Sequence, residues 1–324
     1  MERNTQLRQD RKHGHECGSP GFRTLFGLFM VLFSTLVWAQ DRAAHTAYLA
    51  GSGNRALDQH MIQLLENSLG RDIVLRPLDN GQTTTPDQAP IIAIGPSSFS
   101  RVRQANRQAP ILAMLVEESF IEDYAADNPG QISAVYYNVP LELQATIGKA
   151  VLPHATKVAI IATTETAELY EPIVDKLPPM GLQPRVFIVD SQEDLIPTLV
   201  RALNYGDFLL AGPDDMLYNP RTIKHILLTA YRRNRIVIGP SQAYVKAGAL
   251  ASGYAPFPAM TRAAADQLEY YFVNGEFPAP VYPDRFSVEI NSQVARSLNI
   301  PLPDKETLDQ ELERAQAQYE GTGE

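Results

Sequence analysis

The sequence predicts an α/β protein of two lobes, each a doubly wound parallel sheet, joined by a hinge around a cleft. Three observations predict this fold. Short apolar strands alternate with helical segments from about residue 46 to 303, the alternation falls into two successive sets of similar size, and polar residues collect where strands end. Repeating strand–helix units favour parallel sheets. A chain of 324 residues is long enough for two lobes of ordinary size.

The first set predicts five strands, the first of them TAYLAG at residues 46–51. A helix follows at 54–70, because its apolar residues recur at three- and four-residue spacing on one face. The segment at 79–89 is too polar and too short for a helix, so the first lobe is expected to lack a helix between its second and third strands. The other predicted elements are strands at 72–78, 90–95, 110–115 and 131–138 and a helix at 97–108.

The second set begins at the strand KVAIIAT, residues 157–163. Asn219 and Pro220 predict the N-cap and the first position of a helix that continues to residue 234. Gly275 ends a long helix that begins near residue 258. A charged tail helix at 305–319 is expected to be solvated. The other predicted elements are strands at 185–189, 207–212 and 235–239 and helices at 168–177 and 193–204.

The N-terminal segment has the features of a secretory signal peptide. A basic region precedes the apolar run at residues 25–38, which is shorter than the roughly twenty residues that span a bilayer. Val37-Trp38-Ala39 has the small-residue pattern of a signal peptidase site. We expect residues 1–39 to be removed after Ala39 and the mature protein to be periplasmic. An uncleaved N-terminal anchor is the alternative.

Composition excludes several classes of function. The chain carries 28 basic and 37 acidic residues, a net charge of −9, so a nucleic-acid partner is not expected. Cys17 is the only cysteine, and it lies with His13 and His15 in the segment expected to be removed. The mature protein therefore has no disulfide, and neither a metal site nor a cofactor is expected.

The C-terminal half carries a family resemblance. Its motifs are IVIGPSQAYVKAGALAS at 236–252, VNGEFPAPVYP at 273–283 and FSVEINSQVARSLNIPLP at 286–303. In this order they resemble the ABC-transporter substrate-binding proteins of the tryptophan/tyrosine-binding type, within the periplasmic binding protein type I superfamily. The resemblance weakens towards residue 89.

The resemblance implies that the chain crosses between the lobes three times, near Pro140, Gly253 and Pro283. Such a hinge would restrict motion to opening and closing. The domain boundaries that follow are residues 40–138 with about 253–284 for lobe 1, 139–252 with about 285–303 for lobe 2, and 304–324 for a C-terminal helical tail.

Candidate ligand-binding residues of the first lobe follow its strands, because ligands of such sheets bind beyond the carboxyl ends of the strands. Ser52 lies in the glycine turn AGSGN, and Ser97 and Ser98 follow strand three, where hydroxyls could meet a ligand carboxylate or simply cap a helix. Glu118 ends strand four. Tyr137 could stack on a ligand or pack between the lobes.

The second lobe supplies the other candidates. The resemblance implies a carboxylate for a ligand ammonium group after the strand DFLLAG, where Asp214 is favoured over Asp215; helix capping is the alternative role for Asp215. The candidates at the other strand ends are Thr163, Thr164, Ser241 and Tyr244.

The function that these features predict is binding of a small, amino-acid-like solute between the lobes for an ABC-type importer. The expected partners are the ligand and a membrane permease, and the protein is expected to be a monomer. A periplasmic sensing subunit that signals to a membrane kinase or cyclase is the alternative. The sequence contains no nucleophile-elbow motif and suggests no catalytic triad, so we expect the protein not to be an enzyme. A periplasmic enzyme, the third interpretation, would depend on the acid pairs alone.

Overall fold

The structure is a computed structural model, and it describes residues 45–78, 89–212, 214 and 216–320. The predicted signal peptide, the polar segment at 79–88 and the candidate Asp215 lie outside the described residues. Within the described part of the chain, no helix combines the length and the apolar character needed to cross a membrane.

The described strands form two sheets whose strand order repeats. The first sheet has the order β2-β1-β3-β4-β5 and is parallel throughout. Apolar runs such as IIAI build its buried centre, as is typical of sheets covered on both faces. Its strands are β1 (His45–Ala50), β2 (Ile73–Pro77), β3 (Ile91–Ile94), β4 (Ile111–Val116) and β5 (Ile132–Tyr136).

The second sheet has the order β7-β6-β8-β9-β10-β11, which repeats the first order and adds one strand. Only β11 runs antiparallel, paired with β10. In each sheet the first and third strands are neighbours, so each lobe has its topological switch point there. The strands are β6 (Lys157–Ala162), β7 (Gln183–Ile188), β8 (Phe208–Leu210), β9 (Ile236–Ile238), β10 (Ala251–Tyr254) and β11 (Ser287–Ile290).

Eleven α-helices are described, and they connect the strands or cover the sheets. They are α1 (Arg55–Ser68), α2 (Pro96–Ala105), α3 (Glu118–Asp127), α4 (Leu141–Val151), α5 (Glu171–Lys176), α6 (Leu195–Tyr205), α7 (Ile223–Arg232), α8 (Gln242–Ala247), α9 (Phe257–Asn274), α10 (Ser292–Ser297) and α11 (Lys305–Glu320). The predicted fold class, two doubly wound lobes, is confirmed.

The chain passes between the two sheets three times. It leaves β5 for α4, which packs on β8, β9 and β10, then leaves β10 for α9, which packs on α1, β4 and β5, and finally returns to β11. The buried Gln144 side chain ties the first passage to the second: its amide oxygen accepts from Gly253 N at 2.8 Å and its amide nitrogen donates to Gly253 O at 3.2 Å. This paired bond fixes the start of α4 against β10.

Local structure departs from the sequence predictions at three helices. The helix predicted at 168–177 is a 3-10 turn, Ala167–Tyr170, followed by the short α5. Asn219 is not an N-cap, because its side-chain oxygen accepts from Arg221 N in a turn, and α7 begins only after Thr222. The tail helix α11 is not fully solvated, since Leu308 and Leu312 are buried where it packs on α4 and β11.

Candidate functional site

A cleft of about 500 Å³ lies between the two sheets and is lined by residues of both lobes. One wall consists of the segment after β4 and the start of α3, with Tyr137 and Tyr282 beside it. The other wall consists of the segments after β8 and β9, with Gly212, Asp214 and Tyr244. The start of α4 forms the base. A cleft of this size is typical of small-molecule sites.

The first wall begins at a β-bulge. Leu115 has a φ of 56°, and the register of β4 against β5 shifts between Met114 and Val116. A bulge bends a strand and changes the direction of the side chains that follow, and a non-glycine residue at positive φ is strained. The bulge thus sets the position of Glu117 and Glu118, which line the cleft directly after it.

Two tyrosines hold the carboxylates of the first wall. Tyr137 Oη donates to Glu117 Oε1, and Tyr282 Oη donates to Glu118 Oε2, each at 2.7 Å. Asn138 completes the arrangement, because its amide nitrogen donates to Tyr282 Oη at 3.2 Å and its oxygen accepts from Glu118 N at 3.2 Å. Glu118 is therefore positioned by a residue from the first passage and by one from the third.

The second wall contains Asp214, which is 1% exposed. Its Oδ2 accepts from Thr163 N at 3.0 Å, from Thr163 Oγ1 at 3.1 Å and from Thr166 Oγ1. Its Oδ1 accepts from Leu217 N at 3.0 Å. Hydrogen bonds from four protein donors stabilise a buried carboxylate. Asp214 thus joins the loop after β6 to the loop after β8.

Two buried phenols lie near Asp214. The hydroxyls of Tyr170 and Tyr218 have no hydrogen-bond partner among the described residues, although the side chains are 0% and 3% exposed. Burial raises the pKa of Tyr170 far above 10.0, and the negative charges of Asp214 and Glu117 raise it further. Burial also raises the pKa of Tyr218, with Tyr170, Asp214 and Tyr244 adding to the effect. Both phenols are therefore neutral.

Gly212 leaves space for the Tyr170 ring, which packs against the backbone of the second wall. A Cβ at position 212 would collide with the hydroxyl of Tyr170 and would lie 2.7 Å from its Cζ. Only glycine allows the backbone after β8 to approach the ring this closely. Gly212 also lines the cleft, so the same backbone segment faces the open space on one side and the buried phenol on the other.

The cleft is acidic. The described residues that line it include one cation, Lys176, whose Nζ lies 2.7 Å from Glu142 Oε1. Cleft walls of one charge sign and low dielectric focus the field and concentrate ions of the opposite charge. Six carboxylates line it: Glu117, Glu118, Glu122, Glu142, Glu168 and Asp214.

Five of the predicted ligand residues are brought together in this cleft: Glu118, Tyr137, Asp214, Ser241 and Tyr244. Tyr244 Oη donates to the backbone oxygen of Tyr218, and the two rings lie 6.4 Å apart. Ser241 occupies the N-cap position of α8 without a side-chain capping bond. Tyr137 is 38% exposed and so presents part of its ring to the open space.

The serines predicted in the first lobe do not line the cleft. Ser52 is engaged by α1, because its N and Oγ both donate to Asp58 Oδ1, at 2.8 and 2.7 Å. Ser98 is buried and its Oγ donates to Ala50 O at 2.8 Å. Ser97 lies exposed in the first turn of α2. The glycine turn after β1 is thus organised by the protein's own side chains, and ligand contact by these serines stays a prediction.

The two predicted threonines lie on the far side of Asp214. Thr163 lines a smaller cavity of about 230 Å³ together with Asp190 and Thr222. Thr164 is exposed, and its Oγ1 donates to Asp190 Oδ1 at 3.1 Å. Thr163 reaches the main cleft only through its hydrogen bonds to Asp214.

Sequence reasoning missed several residues that line the cleft. Tyr282 gave no local signal, since its partner Glu118 lies 164 residues away along the chain. Glu142 and Gln144 lie on α4, a helix that was not predicted. It begins directly after Pro140, without a side-chain cap that would mark its start. Glu117 and Tyr218 also line the cleft, and the sequence had marked Glu117 as one of the acids that end strand four and Tyr218 as an aromatic candidate for stacking on a ligand.

A metal site is not indicated in the described part of the chain. No group of three or more His, Cys, Asp or Glu side chains there is arranged to hold an ion. The carboxylates of the first wall accept from tyrosines, and Asp214 accepts from hydroxyls and amides. What the arrangement offers chemically is a negatively charged, partly aromatic cleft.

Comparison with solved structures identifies the fold. The ligand-free, open structure of CD0873, a substrate binding protein with adhesive properties from Clostridium difficile, has a TM-score of 0.61 and 17% identity, over 81% of this chain and 97% of that one. The ABC domain in complex with L-Trp from Streptococcus pneumonia has a TM-score of 0.54 and 14% identity, over 82% and 98%.

A third structure, a conserved domain protein from Vibrio cholerae, has a TM-score of 0.54 and 16% identity, over 82% of this chain and 98% of that one. No protein-family model matches the chain, and no curated protein matches it significantly. At these identities the comparisons establish fold alone. The chain has the two-lobe fold of type I periplasmic binding proteins.

Proposed function

We propose that the protein binds a small solute in the cleft between its lobes and closes around it. The observation that carries this proposal is the cleft itself, which is lined by side chains from both lobes at the ends of their strands. A ligand that contacts both walls binds the closed form better than the open form, and closure follows from that difference in affinity. The likeness of fold to a substrate binding protein and to a tryptophan-bound domain supports the proposal.

In this proposal the protein is a secreted, monomeric component of an ABC-type importer, and it performs no catalysis. The cleft supports a binding role because Glu117, Glu118 and Asp214 are held by hydrogen bonds. Neither a histidine nor a cysteine is among the described residues that line it. Closure would present both lobes to a permease. Removal of the signal peptide after Ala39 would leave Gln40 as the first residue.

Ligand screening tests the binding proposal directly. The purified chain is heated with a library of amino acids, amines and other small metabolites. A ligand at 100 times its dissociation constant adds about 2.7 kcal/mol to the free energy of unfolding, which gives a clear rise in melting temperature. A saturable hit that also lowers the radius of gyration in solution scattering supports binding with closure. If no compound of a broad library binds saturably, the proposal is overturned.

The partner separates an importer from a sensor. Cross-linking in intact cells with the ligand present, followed by mass spectrometry, identifies the membrane protein that contacts the closed form. Capture of a permease supports the importer. Capture of a membrane kinase or cyclase instead would replace the importer with the sensing subunit. N-terminal sequencing of the cell-derived protein tests secretion, with Gln40 as the expected first residue.

A further inference from the structure

We infer that the ligand is an organic amine that carries a positive charge and no carboxylate. The inference rests on the proposed function and specifies the chemical class of its ligand. It departs from the sequence-based expectation of a zwitterion, and it rests on three features of the cleft: its charge, the hydrogen bonds of its carboxylates, and a buried phenol without a partner.

The first feature is the imbalance of charge. Six carboxylates and one lysine line the cleft in the described part of the chain, and the lysine Nζ lies 2.7 Å from Glu142 Oε1. A ligand carboxylate would therefore meet no described cation that lacks a carboxylate partner, and it would be repelled by the walls. An ammonium or guanidinium group would be attracted by both walls, since opposite charges interact strongly where water is excluded.

The second feature is the state of the first wall. Glu117 and Glu118 accept hydrogen bonds from Tyr137 and Tyr282. A carboxylate can accept further bonds, so a ligand N–H can be added without breaking these. The tyrosine rings of the cleft provide faces that attract cations. The wall can hold an amine group and an apolar or aromatic body together.

The third feature is Tyr218. Tyr218 is one of the residues that line the cleft and is 3% exposed, yet its hydroxyl has no hydrogen-bond partner among the described residues. Buried hydroxyls are normally hydrogen-bonded, and an orphan in a binding cleft indicates a group that arrives with the ligand. A neutral phenol oxygen can accept an N–H from an amine. Tyr218 thus gives the second wall a contact for the same class of ligand.

The test compares amines with the amino acids that differ from them only by a carboxylate. Tyramine is compared with tyrosine, agmatine with arginine, and cadaverine with lysine, each titrated calorimetrically into the full chain at one pH and ionic strength. Tyrosol, in which a hydroxyl replaces the amine of tyramine, reports on aromatic binding alone. We expect at least one amine to bind at least about tenfold tighter than its amino acid and to weaken as salt is added.

Variants connect the charge preference to the wall. Glu118→Gln removes a charge but keeps an oxygen that accepts from Tyr282, and it should weaken amine binding about tenfold or more. Glu66→Gln, on the exposed side of α1, is the matched control and should change nothing. If Glu118→Gln does not fold by circular dichroism, Glu122→Gln at an exposed site of the same wall replaces it.

Three results would overturn the inference and leave the proposed function standing. One is an amino acid that binds as tightly as its amine, or more tightly; another is tyrosol binding as well as tyramine. The third is failure of all amines to bind, with a hit of another class in the broad library. If no compound of any class binds, both the inference and the proposed function are overturned.

Discussion

The two walls of the cleft use carboxylates in opposite ways. In the first wall Glu117 and Glu118 are partly exposed and each is held by one tyrosine hydroxyl. In the second wall Asp214 is buried and accepts from two threonine hydroxyls and two backbone amides. The first wall keeps acceptor capacity for a ligand, whereas the second spends its acceptor capacity on joining two loops of the protein. Position at a strand end does not by itself distinguish these roles.

The largest expected effect is on stability, at Asp214. Asp214→Ala removes the carboxylate that accepts from Thr163 N, from Leu217 N and from two threonine hydroxyls. Thr163 N keeps Thr166 Oγ1 as an acceptor, and Leu217 N keeps the backbone oxygen of residue 214. Hydrogen bonds to a charged group contribute about 1.5–3 kcal/mol each, so we expect a loss of about 3 kcal/mol in the free energy of unfolding. Urea denaturation measures it. Glu117→Ala, the control in the opposite wall, should cost less than about 1 kcal/mol.

Equal losses in the two variants would remove the distinction between the walls.

The next effect concerns the packing behind the second wall. Gly212→Ala places a methyl group against the Tyr170 ring, and overpacking of this kind costs about 1–3 kcal/mol. Tyr170→Leu should lessen that cost in the double variant, because it removes the colliding atoms. A double-mutant cycle of unfolding free energies measures the coupling. Additive effects would show that the collision is relieved by movement of the backbone.

A third prediction concerns alkaline pH. Burial and then neighbouring negative charges raise the pKa of Tyr170 above its ordinary 10.0, so the folded protein keeps a proton that the unfolded chain loses. The stability from this residue is fully present below pH 10 and falls as the pH rises above it. Tyr170→Phe should reduce the slope of unfolding free energy between about pH 10 and 11.

An unchanged slope in Tyr170→Phe would mean that this phenol ionises in the folded protein as it does in the unfolded chain.

The smallest expected effect is at one donor to Asp214. Thr166→Val replaces a hydroxyl by a methyl group of similar size. It removes one of the four hydrogen bonds to the Asp214 side chain and also the bonds between Thr166 Oγ1 and Thr163. We expect a loss of about 1 kcal/mol, because the remaining three donors keep the carboxylate in place. Thermal and urea unfolding both measure it. A loss as large as that of Asp214→Ala would mean that the hydrogen bond from Thr166, and not the four hydrogen bonds together, holds the carboxylate.

Much of the fold could be predicted from the sequence because its signals are local. The periodicity of α1, Gly275 at the end of α9 and the apolar run of β3 each depend on neighbouring residues. Among the helices that were not predicted, α3, α4 and α8 begin without a side-chain cap, so the usual start signal is absent. Asn219 supplied a start signal that the fold uses for a turn.

The site was less predictable because its contacts are distant in sequence. Glu118, Asp214 and Tyr244, which were selected because they follow predicted strands, line one cleft. The same rule selected Ser52, whose hydroxyl is engaged by Asp58 on the next helix. No local pattern gives the pairing of Tyr282 with Glu118 or the charge of the assembled cleft.

The most direct test of the difference between the walls is a paired measurement on Glu118→Gln and Asp214→Asn. Each variant is titrated calorimetrically with the tightest ligand from the screen and then unfolded in urea. We predict that Glu118→Gln lowers the affinity about tenfold or more and lowers the free energy of unfolding by less than about 0.5 kcal/mol. Asp214→Asn should lower the free energy of unfolding by at least about 1 kcal/mol. Wild-type affinity in Glu118→Gln, or wild-type stability in Asp214→Asn, would contradict this prediction.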